Sequence, residues 1–157
     1  MLRFTPGLVG KSCHANCADT SITIALPTRR ATTQLGQRIA RVLSGGDLVI
    51  LSGALGAGKT FLVRALCREL GVPARVRVTS PTFTLVHEHQ AKLSIVHADL
   101  YRLETAAAVR ELGLDSLRDE GRLLLVEWGE PYLDELGRDA LVVELSLTPR
   151  RATLRAT

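Results

Sequence analysis

No apolar stretch in this 157-residue chain approaches the length of a membrane-spanning helix. The first residues include Arg3 and Lys11 but lack the apolar core of a secretory signal, so a cytoplasmic protein is expected. Cysteine is limited to Cys13, Cys17 and Cys67. Cys13, His14 and Cys17 form half a zinc motif whose second pair is missing, and Cys67 falls inside a predicted helix as a core residue. Internal repeats and low-complexity runs are also absent. Lysine is scarce: Lys11, Lys59 and Lys92 stand against 17 arginines. One of those three lysines lies in the most informative stretch of the chain.

What is present is ordinary for a globular protein: 46% hydrophobic and 23% charged residues, enough for one domain with a real core. Residues 1–19 mix Gly, Pro, Ser, Cys and Asn without periodicity and read as a mobile tail, leaving 20–157 as a single domain. The formal charge of +4 is unevenly spread. Residues 1–103 hold 13 basic and 5 acidic side chains, residues 104–144 hold 4 and 11, and residues 145–157 add three arginines. Two solvated faces explain this as well as two different partners do.

Residues 53–60 read GALGAGKT, the pattern G-x-x-x-x-G-K-[ST] of the Walker A phosphate loop. Gly53, Gly56 and Gly58 lack a Cβ, so the backbone can curl and aim several N–H groups at one point. Those groups and the N-terminus of the following helix make a pocket for anionic oxygens. Lys59 adds a positive charge where β- and γ-phosphates would lie, and the Thr60 hydroxyl would be a ligand of the accompanying Mg²⁺. The flanks agree. Leu48, Val49, Ile50 and Leu51 form a buried-type strand before the loop, and residues 61–70 carry Leu62, Ala65, Leu66 and Leu70 at helical spacing after it. Gly71 and Pro73 close that helix.

The rest of the chain alternates strands and helices. Residues 21–26 (SITIAL) predict a strand, and a helix opens at Pro27-Thr28 and runs to about Leu43. Residues 75–78 (RVRV) alternate as a short strand. Ser80, Pro81 and Thr82 follow, and by themselves favour a plain turn over a segment that wraps a phosphate. Residues 84–89 and 93–98 are strands too closely spaced for a helical crossover, which predicts an antiparallel hairpin. Helices are expected over 104–112 and 114–120, separated by Gly113, with further strands at 122–126, 141–147 and 152–155. The expected fold is α/β: a mixed, mostly parallel sheet of the P-loop NTPase kind, with helices on both faces and one antiparallel hairpin.

Asp99 and Glu127 each end an apolar strand on the side where such folds bind ligands. Either can serve the Mg²⁺ of a bound nucleotide, the other orienting the attacking water; a simple capping role is the alternative for one of them. Thr60 and Glu127 are assigned to the metal, and Asp99 to the water or to an outer position around the ion. Lys59, Asp99 and Glu127 are thus the candidate catalytic groups. The guanine-reading Asn/Thr-Lys-x-Asp element is absent, so ATP is favoured by default. No arginine stands out as an internal finger, which leaves room for one supplied by a partner. A small-molecule kinase with Asp99 as base is the competing reading. Residues 104–120 are short and net acidic, however, and suit a phosphate-covering lid poorly. A regulatory module that binds nucleotide without turnover is a third.

Four segments in this order and spacing resemble the TsaE (YjeE) family: residues 53–60, TSPTFTLVHE at 79–88, HADLYRL at 97–103, and Val126-Glu127-Trp128. The resemblance covers roughly residues 21–156. It implies a small cytoplasmic P-loop ATPase that uses ATP and Mg²⁺ and acts with TsaD and TsaB. Together these form N6-threonylcarbamoyladenosine at position 37 of tRNA, an indirect partner through the complex. In that family the ligase chemistry belongs to TsaD, and ATP hydrolysis by TsaE resets the complex. The resemblance also reverses the reading of Ser80-Pro81-Thr82, which becomes a switch-like segment near the γ-phosphate. Trp128, otherwise a core aromatic, becomes the tryptophan of a second switch. It matches Glu127 to the family's metal-side glutamate and Asp99 to its Walker-B-like aspartate. The nucleotide-binding set it implies is Thr32, Gly53, Ala54, Leu55, Gly56, Ala57, Gly58, Lys59, Thr60, Phe61, Ser80, Thr82, Trp128 and Arg150, with Arg151 the alternative to Arg150.

Overall fold

The computed structural model describes residues 21–157. The expected tail, with Cys13, His14 and Cys17, lies outside the described residues. The chain runs β1 (Ile22–Ala25), α1 (Arg29–Ala40), β2 (Leu48–Ser52), α2 (Lys59–Glu69), β3 (Val86–Gln90) and β4 (Ser94–Asp99). It continues through α3 (Ala106–Glu111), α4 (Leu114–Asp119), β5 (Leu123–Glu127), a 3-10 turn (Glu130–Tyr132), β6 (Leu141–Leu147) and β7 (Arg150–Ala156).

The strands form one seven-stranded sheet in the order β1-β7-β6-β2-β5-β4-β3. Its centre is parallel, β2 pairing with β5 and β6, and β4 with β5. The expected antiparallel hairpin is β3–β4. At the opposite edge β6 and β7 make a second antiparallel pair, and β1 adds to β7. Parallel pairing is therefore confined to the middle, where both faces are covered, and β2 and β5 read as continuous apolar runs for that reason.

Side chains alternate between the faces of a strand, and two apolar layers result. Val49, Leu51, Leu123, Leu125 and Ile95 pack with Leu35 and Ile39 of α1 and Leu62, Val63 and Leu66 of α2. Leu48, Ile50, Leu124, Val126 and Val96 pack on the other side with Val109 of α3 and Leu114 of α4. Each fully buried leucine contributes about 1.5–3 kcal/mol of transfer free energy, so the central strands anchor the fold. Thr28 caps α1, its hydroxyl accepting from the Ala31 N–H at 3.1 Å. A Cβ on Gly36 would come within 2.6 Å of Ala65 Cβ, so α1 and α2 lie closely against each other.

One expected strand is missing. Residues 75–78 lie in irregular backbone, although their alternation favoured a strand. The Arg68 guanidinium on α2 donates to the carbonyls of Val72, Pro73 and Val76 at 3.0, 2.7 and 2.7 Å. Arg64 donates to the Val78 carbonyl at 3.1 Å. Side chains of the preceding helix thus satisfy acceptors that a ladder would otherwise satisfy. The first helix is also shorter than expected: it ends at Ala40, and a turn continues from it.

Candidate nucleotide site

β2 ends at Ser52 in the middle of the sheet, and α2 begins at Lys59, so residues 53–58 turn above the carboxyl end of the parallel strands. Two glycines make the turn possible. Gly53 sits at φ 122°, and a Cβ there would meet the Leu145 carbonyl oxygen of β6 at 2.2 Å. Gly58 caps α2 at φ 106°, a left-handed conformation that a side chain would strain. The Lys59 ammonium folds back over the loop and donates to the carbonyls of Gly53 at 2.7 Å and Ala54 at 3.0 Å. It also rests 3.8 Å from the centre of the Trp128 ring. Burial pushes the Lys59 pKa below the ordinary lysine value, while the charges of Glu127 and Asp99 pull the other way.

The parallel register of β4 and β5 sets Asp99 beside Glu127. Both carboxylates are buried, at 4% and 2% exposure, in a sheet otherwise filled with apolar residues. Each has specific donors. The Thr60 hydroxyl donates to both oxygens of Glu127, at 2.8 Å and 3.0 Å. His97 Nε2 lies 2.9 Å from Glu127 Oε1. Asp99 Oδ2 accepts from the Ser80 hydroxyl and, at 2.9 Å, from that of Thr82, while Oδ1 accepts the Tyr101 N–H at 3.1 Å. Two carboxylates and one ammonium thus share a small volume, a charge excess that suits a cation among anionic oxygens.

Most of the expected site residues line one cleft of about 380 Å³: Leu55, Gly56, Gly58, Lys59, Thr60, Phe61, Ser80, Thr82, Asp99, Glu127 and Trp128. Gly53 and Ala54 are joined to it through their carbonyls on Lys59, and the Ala57 N–H closes the loop onto the Ala54 carbonyl at 3.1 Å. Arg150 stands over the loop, its guanidinium 3.8 Å from where a Gly58 Cβ would be. Arg151, one residue further along β7, pairs with Ala25 and Ser146. Thr32 is not among the residues lining the cleft. It is buried on α1, with its hydroxyl donating to the Thr28 carbonyl at 3.4 Å.

Two participants were missed by sequence reasoning. Tyr101 lines the cleft, its ring 5.0 Å from that of Trp128. His97 contacts Glu127 from β4, and the signal was there: two residues before Asp99, it shares a face of the strand with it. Trp128 reaches Lys59 because its backbone adopts φ 62°, with its N–H held by the Leu51 carbonyl at 3.1 Å.

The donor set fits Mg²⁺ with a nucleotide. A hydroxyl and two carboxylates are hard oxygen ligands, and Mg²⁺ is characteristically held by one or two of these plus substrate phosphates. Among the described residues no group of three or more His, Cys, Asp or Glu could hold a metal alone. The central parallel strand, its glycine turn, a Lys-Thr helix start and acids ending two neighbouring strands define the P-loop nucleotide-binding class. Bacillus subtilus YdiB has the same fold, with a TM-score of 0.71 and 26% identity over 87% of this chain and 86% of that one.

Residues 26–154 match the family model described as "Threonylcarbamoyl adenosine biosynthesis protein TsaE", and the chain belongs to the TsaE family. Among its relatives, the "tRNA threonylcarbamoyladenosine biosynthesis protein TsaE" of Streptomyces coelicolor is 47% identical over 113 residues, 69% of this chain and 74% of the relative. The protein of the same name from Mycobacterium bovis is 38% identical over 144 residues, 86% of this chain and 84% of the relative.

Proposed function

We propose that this protein binds and hydrolyses ATP with Mg²⁺, as the ATPase component of the machinery that makes N6-threonylcarbamoyladenosine in tRNA, acting with TsaD and TsaB. Family membership supports the pathway. The observation that carries the ATPase reading is the Thr60 hydroxyl held on both oxygens of Glu127 at the start of α2. It sets a hydroxyl and a carboxylate side by side at the loop, a pair that would hold Mg²⁺ beside nucleotide phosphates.

Thr60 and Glu127 would hold the ion, which supplies charge neutralisation on the transferred phosphoryl oxygens. Lys59 gives its ammonium to the phosphates in exchange for the carbonyls of Gly53 and Ala54. Asp99 orients the attacking water, which takes the place of the Ser80 or Thr82 hydroxyl now on its Oδ2. Ser80 and Thr82, released from Asp99, are then free to donate to the γ-phosphate edge. Trp128 and Tyr101 wall one side of the cleft.

Calorimetry with ATP and ADP, beside single-turnover phosphate release with and without TsaD–TsaB, tests this reading. Lys59→Ala is expected to weaken nucleotide uptake by at least about tenfold, the loss of one charge-assisted phosphate contact. Glu127→Gln is expected to keep nucleotide but slow release of phosphate by about 100-fold. No uptake of adenine nucleotide by the wild type, or uptake indifferent to Lys59→Ala, would overturn the reading. A phosphorylated small molecule in place of free phosphate would turn it toward a kinase.

A further inference from the structure

His97 is a fully buried ionisable side chain in the middle of the sheet. It has 0% exposure and lies on β4 between Ile95 and Asp99 on the face that meets α2. An imidazole in that position costs desolvation that an isoleucine or valine would not, so its presence calls for a polar reason. It has one polar contact: Nε2 lies 2.9 Å from Glu127 Oε1, while Nδ1 is buried with no partner. A carboxylate can only accept, so Nε2 is the donor in this contact.

The geometry around Glu127 gives this contact its consequence. Oε1 is claimed twice, by His97 and by Thr60, whereas Oε2 has only the longer 3.0 Å contact with the Thr60 hydroxyl. We infer that His97 is a positioning residue: its Nε2–H pins Oε1 of Glu127, which fixes the carboxylate rotamer and turns Oε2 and the Thr60 oxygen together toward the cleft. This rests on the nucleotide-binding reading above and deepens it. The histidine touches neither nucleotide nor metal, and its effect passes through Glu127. Its influence should therefore appear in the coupling between Mg²⁺ and nucleotide, not in nucleotide affinity without metal.

The test uses the full chain and three variants. His97→Leu keeps apolar volume but removes the donor. His97→Gln carries an amide N–H able to stand where Nε2–H stands. His97→Ala removes both. ADP binding is measured by calorimetry in EDTA and in Mg²⁺. For His97→Leu, metal-free affinity is expected within about twofold of wild type, while the gain on adding Mg²⁺ falls by about 10–100-fold, as when the hydrogen-bond partner of a metal ligand is lost. His97→Gln should restore the gain to within a few-fold. In the unliganded wild type, the ¹⁵N spectrum of His97 should show a protonated Nε2.

A Mg²⁺ gain unchanged in His97→Leu overturns the inference. So does an equal loss with and without metal, or a loss that glutamine does not repair, because either marks a packing role. Should His97→Leu and His97→Ala fail to fold, His97→Gln and the spectrum decide: a bare Nε2 or an uncoupled Gln variant is a negative result. A wild type that takes up no nucleotide overturns the functional reading and this role with it. Nucleotide uptake whose Mg²⁺ gain is insensitive to His97 overturns this role alone.

Discussion

Lys59 shows how one residue type acts differently by position. Lys59 is 5% exposed, and its ammonium is satisfied by two carbonyls and a ring face. Burial pushes its pKa below the ordinary 10.5, so the unfolded chain keeps this proton to higher pH than the native protein does. Between the native pKa and 10.5 the unfolded state binds more protons, and the stability contributed by Lys59 rises with pH there. Below the native pKa both states are charged and the contribution is flat. Urea unfolding of wild type and Lys59→Met at neutral pH and at about pH 10 should therefore show the wild type gaining relative to the variant. Nucleotide affinity should fall over the same alkaline window as the positive charge is lost, and a relative loss of stability would contradict the assignment. Cys67 is an opposite case. Burial raises its thiol to about 11, which keeps it an unreactive core group, as its place in the helix suggested.

Among the elements, the arginines are structural connectors. Arg68 joins α2 to the segment that follows it. Arg118 on α4 donates to the carbonyls of Gly46, Leu136 and Asp139 at 2.8, 3.1 and 2.7 Å, tying together two loops at the base of the sheet. A guanidinium can do this because its five donors radiate in a plane, whereas an ammonium is a point. Arg68→Ala should cost about 2–3 kcal/mol by leaving part-buried carbonyls without a donor, read from the urea midpoint. Arg68→Lys should recover little of it. A change below about 0.5 kcal/mol, the size of an ordinary surface substitution, would show the clasp to be incidental. The predominance of arginine over lysine thus has a mechanical side in this fold, besides its charge.

At the scale of the whole molecule, the glycine-rich loop sits where the central strand β2, the start of α2 and both acidic strand ends converge. A ligand there couples to the entire fold. Saturation with Mg²⁺ and ADP at a hundred times the dissociation constant should stabilise the native state by about 2.7 kcal/mol. For a chain of this size that is a rise of roughly 5–10 °C in melting temperature. Chelating the metal should remove part of the rise, and Lys59→Ala should abolish most of it. A melting temperature indifferent to Mg-ADP would contradict the placement of the ligand site at this junction. Among the described residues no helix is long and apolar enough to cross a membrane.

The local code of the chain settled the glycine turn, the buried strands, the β3–β4 hairpin and the acids that end two strands. These follow from side-chain period and from backbone freedom within a few residues, which any window of the sequence contains. Tertiary structure decided the rest. It alone brought Thr60 onto Glu127, 67 residues away, and His97 onto the same carboxylate across 30. It laid Trp128 on Lys59, left Thr32 outside the cleft lining, and gave residues 75–78 to Arg64 and Arg68 instead of to a strand. Such contacts depend on strand register and helix docking. These are set by how the two apolar layers pack across the sheet, and no local pattern records that.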